Sequence, residues 1–260
     1  MTRSYLFVPG DRPERFDKAR AAGAGQVILD LEDAVAPDTK ARARDAVANW
    51  LHADRPVALR INGAGTRWFD DDLALAAHPG VAAVMLPKAE DADTLARVAA
   101  AAPQAALLPL VETALGIAAV DAIARAPRVQ RLVFGSIDFQ LDLGIEGDGD
   151  ELLFFRSQLV LASRLAELAP PVDGVCTALD DIEALRAASL RARRLGFGAK
   201  LCIHPRQVGV VEAAFAPGEG EIAWARRVVD AAAGANGAAV AVDGRMVDRP
   251  VLLRAQRRLQ

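Results

Sequence analysis

The sequence predicts an α/β chain folded as a (β/α)8 TIM barrel with a C-terminal lid or arm. Three observations carry that expectation. Eight short apolar runs, rich in β-branched residues, recur between residues 5 and 203. Ala/Leu/Arg-rich stretches with helical spacing separate most of them. The runs are continuously apolar rather than alternating, as expected of parallel strands covered on both faces. Strands that alternate with helices imply βαβ units, and eight units suit a closed barrel. A doubly wound open sheet is the alternative. No G-x-G-x-x-G follows the first run, so the dinucleotide-binding form of that sheet lacks its fingerprint.

In chain order, the first run (5–8) leads into Pro9-Gly10-Asp11-Arg12. The second (27–31) delivers Asp30, Glu32 and Asp33, and the third (57–61) ends in Arg60-Ile61-Asn62. The fourth (82–86) ends at Pro87-Lys88 and precedes a helical stretch at 89–100. The fifth (106–111) ends in Glu112-Thr113, and the sixth (131–134) reaches Asp138 through Gly135-Ser136-Ile137. The seventh (172–176) precedes a helical stretch at 180–195, and the eighth (200–203) ends in His204-Pro205. The tail differs. Residues 224–233 read as a helix, Gly234-Ala235-Asn236-Gly237 breaks it, and 239–242 is β-like. Asp243-Gly244 is a turn signal and 251–259 a last helix. The expected division is a barrel domain over 1–223 and a helical extension over 224–260.

Bulk composition removes several classes. A net charge of −3 over 260 residues gives no footprint for nucleic acid. No apolar run approaches the roughly 18 residues that span a membrane, and the first ten residues are too weakly apolar for a signal peptide. Cys176 and Cys202 lie inside apolar runs and read as reduced core thiols, which fits a cytoplasmic location; a disulfide between them is the other option. Only Lys18, Lys40, Lys88 and Lys200 are lysines, so 27 of the 31 basic residues are arginine. A lysine kept in that background hints at a site where arginine would not serve.

In a barrel of this class the active site forms at the C-terminal ends of the strands. Two apolar runs, Leu107-Leu108-Pro109-Leu110-Val111-Glu112 and Leu132-Val133-Phe134-Gly135-Ser136-Ile137-Asp138, read as buried strands that end in a carboxylate. A buried carboxylate needs a partner. Two on successive strands suggest a hard cation, most simply Mg²⁺, which takes one or two carboxylates and keeps exchangeable waters. Arg60 suits bidentate recognition of a substrate carboxylate, or pairs structurally with Asp30 or Glu32. Asp30, Glu32 and Asp33 are read as supporting groups that orient Arg60, Lys40 or Arg42, or bond the metal's waters. His204 is the one histidine at a strand end, serving as a general base or through its backbone.

These residues resemble the citrate lyase beta-subunit family within the HpcH/HpaI aldolase and malyl-CoA lyase superfamily. The matching segments run in order through nearly the whole chain: Arg3-Ser4-x-Leu6-Phe7-Val8-Pro9-Gly10, Leu29-Asp30-Leu31-Glu32-Asp33-Ala34-Val35, Arg42-x-Arg44, Arg60-Ile61-Asn62, Leu86-Pro87-Lys88, Glu112-Thr113, Phe134-Gly135-x-x-Asp138, Asp142-Leu143-Gly144 and Gly196-Phe197-x-x-Lys200-x-x-Ile203-His204-Pro205. The resemblance implies Glu112 and Asp138 as Mg²⁺ ligands and Arg60 as the clamp on a 2-oxo acid. It implies Phe7, Lys18, Gly135, Ile203 and His204 as further substrate-binding positions. It also makes Met246-Val247-Asp248-Arg249-Pro250 a lid segment whose Asp248 enters a neighbouring subunit as general acid/base. The implied reaction is reversible Mg²⁺-dependent cleavage of a 3-hydroxyacyl-CoA (citramalyl-, malyl- or citryl-CoA type) to an acyl-CoA and a 2-oxo acid, in a homo-trimer or hexamer. The alternative is the citryl-cleaving beta subunit of a citrate lyase complex, acting on a carrier-bound thioester. Ser136-Ile137 departs from the family, which often carries an acid just before the metal-binding Asp. No histidine precedes His52, which argues against the hydroxy-oxo-acid aldolase branch.

Overall fold

The computed structural model describes residues 2–234 and 239–259. Its strands in order are β1 (Ser4–Pro9), β2 (Gln26–Asp30), β3 (Val57–Arg60), β4 (Val81–Leu86), β5 (Ala106–Val111), β6 (Val133–Phe134), β7 (Val172–Asp173) and β8 (Ala199–Cys202). Each pairs in parallel with the next, and β1 also pairs with β8, at Ser4 with Lys200, Tyr5 with Leu201 and Leu6 with Cys202, which closes the barrel. The expected (β/α)8 barrel is the observed one.

Helices pack around the strands: α1 (Phe16–Ala21), α2 (Lys40–Trp50), α3 (Phe69–Ala76), α4 (Ala92–Ala101), α5 (Ala114–Ala118), α6 (Val120–Ala124), α7 (Ser136–Leu143), α8 (Leu153–Leu165), α9 (Ile182–Leu195) and α10 (Pro205–Phe215). Their starts are local chemistry. Asp91 accepts from the Thr94 amide before α4, and Asp181 from the Ala184 amide before α9. Gly196 closes α9 in the left-handed region, at φ 104°, where a side chain would be strained.

Strand periodicity sorts the core into two layers. Tyr5 and Phe7 of β1 point into the barrel with Ile28, Met85, Leu108, Leu110 and Leu201. Leu6 and Val8 point outward, into the larger layer beneath the helices. The continuous apolar runs therefore reflect two separate cores sharing one sheet.

Two expected strands are shorter than the apolar runs suggested. The sixth stops at Phe134 because the chain must turn at Gly135, where a Cβ would overlap the Glu112 side chain. The seventh stops at Asp173 because a Cβ on Gly174 would overlap the Ser136 hydroxyl. The run 132–138 is therefore not one strand ending in an acid. Asp138 sits in the first turn of α7 instead. An acidic residue is favoured there by the helix dipole, and local turn geometry overrides the β-like pattern.

The chain divides into two compact units, Met1–Phe215 and Ala216–Gln260. The second unit holds α11 (Glu219–Ala233), the antiparallel pair β9 (Val240–Val242) and β10 (Arg245–Val247), and α12 (Arg249–Leu259). Helix α11 starts ahead of the stretch read from 224, at the Gly218 amide, which donates to the Glu221 carboxylate. The division accordingly falls before residue 223. Ala225, Val228, Val242, Val247 and Ala255 form a small core of their own. Of the expected break at Gly234-Ala235-Asn236-Gly237, all but Gly234 lies outside the described residues.

Candidate active site

All eight strands run parallel, so their C-terminal ends share one mouth. A cavity of about 360 Å³ opens there, lined by residues from β1, β2, β3, β5, β6, β7 and β8 or the turns that follow them. Phe7, Arg60, Glu112, Gly135, Asp138 and Ile203, all singled out in the sequence, line it together with Asp30 and Asp33.

Arg60, at the end of β3, is buried and heavily engaged. Its Nε lies 2.7 Å from Asp30 Oδ1 and its Nη2 2.5 Å from Asp30 Oδ2. Nη1 lies 2.9 Å from Glu32 Oε2, an ion pair whose angle falls short of a hydrogen bond. The Phe7 ring packs against the guanidinium at 4.6 Å. Burial opposes the charge, but Asp30, Glu32 and Asp33 outweigh it and hold the Arg60 pKa above its ordinary value. Asp30 also accepts from the Glu32 and Ala34 amides, which folds the Asp30–Ala34 turn around the same carboxylate. Arg60 is thus both a structural partner of Asp30 and Glu32 and a wall of the cavity.

Lys40 does not take up the acids' side chains. Its buried Nζ donates to the Leu31 and Glu32 carbonyls, 2.8 Å each, with the Trp68 ring 5.1 Å away. Burial lowers its pKa, against the pull of Asp30 and Glu32. A compact ammonium suits two converging carbonyls better than a planar fork does. Asn62 braces the same turn, donating to Leu31 O at 2.9 Å and to the buried Asp72, which Arg44 holds at 2.7 Å. Asp72 gave no sequence signal, because it sits in a run of three acids at the start of α3 that reads as solvated surface.

Glu112, just past β5, is 3% exposed. Its Oε1 accepts from the Lys88 amide at 2.8 Å, and Gly135 lies over its carboxylate. Lys88 holds φ 46° to present that amide. Burial raises the Glu112 pKa to about 8, with Glu32 and Asp138 adding to the rise. Burial likewise raises Glu32 to about 7, although Arg60 opposes it. Asp138 is half-buried, one helical turn before Asp142, whose Oδ2 accepts from the Ala114 amide at 2.7 Å. That bond ties α7 to the chain just beyond Glu112.

The donor chemistry suits a divalent hard cation. Two carboxylates flank an open cavity, and the buried one is destabilised as an anion until a positive charge arrives. Among the described residues no group of three or more His, Cys, Asp or Glu is placed to hold a metal. The remaining ligands would be water or substrate oxygens, which is how Mg²⁺ binds.

Not every expected residue joins this mouth. Lys18 is exposed on α1, outside the cavity lining. The His204 ring is also outside it, its Nδ1 accepting from the Arg206 amide at 3.1 Å. The neighbouring Ile203 and His204 amides donate to Gln207 Oε1, whose Nε2 donates to Cys176 O, joining the ends of β7 and β8. His204 therefore acts structurally, at the start of α10. Cys176 and Cys202 are free thiols, and burial raises Cys202 to about 12. Ser136 and the apolar wall of Leu110, Ile137, Val175 and Leu201 were not singled out. Inward-facing positions near strand ends were the available signal. Ser136 Oγ is buried without a partner. Asp248 lies in the second unit and caps α12, its Oδ1 accepting from the Val251 amide at 3.2 Å.

Residues 3–205 match the family described as HpcH/HpaI aldolase/citrate lyase. The chain belongs to that family. A citrate lyase subunit beta-like protein of Mycobacterium tuberculosis is 40% identical over 98% of this chain and 94% of its own length. A (3S)-malyl-CoA thioesterase of Cereibacter sphaeroides is 36% identical over 99% of this chain and 93% of its own. The crystal structure of CitE from Mycobacterium tuberculosis in complex with magnesium, acetoacetate and coenzyme A superposes with a TM-score of 0.89 at 38% identity, covering 99% of this chain and 97% of that one. This HpcH/HpaI member has the same barrel. No described helix is long and apolar enough to cross a membrane.

Proposed function

We propose that this protein is a Mg²⁺-dependent carbon–carbon lyase that reversibly cleaves a 3-hydroxyacyl-CoA into an acyl-CoA and a 2-oxo acid. The observation that carries the reading is the meeting of Glu112, Asp138 and Arg60 at one cavity of about 360 Å³. The magnesium and coenzyme A of the related CitE structure support it.

Glu112 and Asp138 would hold Mg²⁺, which when bound acts as a Lewis acid on the oxo-acid oxygens. Arg60, fixed by Asp30, would orient the substrate carboxylate with the guanidinium edge left facing the cavity and offset its charge. Phe7, Gly135 and Ile203 would line the bound substrate, with Lys18 and His204 towards the acyl-CoA. In cleavage a base takes the hydroxyl proton, and the oxygen's electron pair forms the new carbonyl. The carbon–carbon bond breaks and its pair passes to the thioester α-carbon. Asp248 would deliver a proton there and remove it in the reverse direction. The second unit would then be a lid acting in a neighbouring subunit of a closed oligomer, a trimer or hexamer.

The test offers malyl-CoA, citramalyl-CoA and citryl-CoA separately with Mg²⁺ and measures both oxo acid and free thiol. Strictly Mg²⁺-dependent oxo-acid release without thiol is expected. Thiol without oxo acid would instead place the protein with the thioesterase relatives. No product from any of the three, with Mg²⁺ bound, would favour the carrier-dependent citrate lyase subunit.

A further inference from the structure

We infer that the barrel site selects a 2-oxo acid carrying one carboxylate and a short uncharged side chain, and disfavours dicarboxylic oxo acids. This rests on the lyase reading above and names its substrate class. Asp30, Asp33, Glu112 and Asp138 line the cavity against one cation, Arg60. Glu112 and Asp138 match the charge of a divalent ion. That leaves Arg60, already bonded twice to Asp30 and 2.9 Å from Glu32, for everything else.

The nearby cations are engaged elsewhere. Lys40 Nζ is on two backbone carbonyls, and Lys88 Nζ lies 3.9 Å from Glu32, outside the lining. One substrate carboxylate can reach the metal and the open edge of Arg60. A second would meet the opposite wall, where Leu110, Ile137, Val175, Leu201 and Ile203 offer hydrocarbon. A carboxylate desolvated there has no partner, and the surplus acids repel it. A hydrogen or a methyl group on the oxo acid meets no such penalty. Ile137, 46% exposed, occupies the position next to Asp138 and can change without loss of core.

The experiment measures binding to the full-length, Mg²⁺-loaded protein by calorimetry, with pyruvate and freshly dissolved oxaloacetate at matched ionic strength. Pyruvate should bind tighter by about tenfold or more, since like-charge contacts cost several kcal/mol. Ile137→Arg should then strengthen oxaloacetate binding and leave Mg²⁺ affinity unchanged. Oxaloacetate binding as tightly as pyruvate, while Mg²⁺-dependent cleavage persists, overturns the selectivity and leaves the lyase reading standing. Binding of neither acid to Mg²⁺-loaded protein overturns both. A folded Ile137→Arg protein that binds Mg²⁺ and pyruvate but gains nothing for oxaloacetate removes the wall as the determinant.

Discussion

Glu112 carries the chemistry most tightly. It is buried, holds one backbone amide, and has no side-chain cation within bonding distance. Glu112→Ala should weaken Mg²⁺ binding by more than the ~10–100-fold that loss of an outer partner costs; unchanged affinity by calorimetry would remove the site. Its titration has a definite sign. Folding raises the carboxyl from its ordinary 4.5 to about 8, through burial first and Glu32 next. The metal-free folded state therefore holds a proton that the unfolded state has lost, and stability falls as pH rises through that window. Mg²⁺ replaces the proton. Its stabilisation should grow from about pH 5 to pH 8, and binding near neutrality should release protons. Thermal melts with and without Mg²⁺ across that range read the first, and calorimetry in buffers of different ionisation enthalpy reads the second. Asp248→Ala should lower turnover by about 10²–10⁴-fold while Mg²⁺ still binds.

The strands and helices are joined by buried ion pairs as well as by apolar contact. Asp173, at the end of β7, is fully buried between Lys200 of β8, at 2.6 Å, and Arg156 of α8, at 2.8 Å. Arg156 passes the link to Asp148, which also holds Arg191 of α9 at 2.8 Å. Although burial opposes ionisation, Lys200 and Arg156 hold the Asp173 pKa below its ordinary value. Its stabilisation is thus present above the unfolded value and is lost as pH falls. Asp173→Ala strands two buried cations, which costs about 3–5 kcal/mol. Urea unfolding should show that loss, and a loss under about 1 kcal/mol would mean the pairs are replaced by water. The sequence marked Lys200 only as a lysine kept among arginines. Its partner could not be read, because Asp173 lies 27 residues away and looks like any acid after a strand.

The whole molecule joins a barrel that carries the metal-binding carboxylates to a second unit that carries Asp248. If Asp248 acts across subunits, two inactive variants should complement. Glu112→Ala and Asp248→Ala proteins, mixed under conditions that let subunits exchange, should regain a fraction of the activity. No recovery in verified mixed oligomers would confine both residues to one subunit. Family membership and the barrel were legible throughout, because each βα unit repeats one pattern and the motifs fall in order.

By itself the sequence determined the eight βα units, the strand ends that carry polar groups, and the carboxylate pair Glu112 and Asp138. Periodicity and strand termini are local, so a linear reading reaches them. Tertiary structure alone decided the rest. It moved Asp138 from a strand end into a helix, because Gly135 must clear Glu112. It joined Asp30 and Glu32 to Arg60 and sent Lys40 to backbone carbonyls. It turned the His204 ring to the Arg206 amide and set Ile137, Val175 and Leu201 as one apolar wall. Those outcomes depend on which side chains meet across barrel closure, and pairing between residues distant in sequence leaves no periodic trace along the chain.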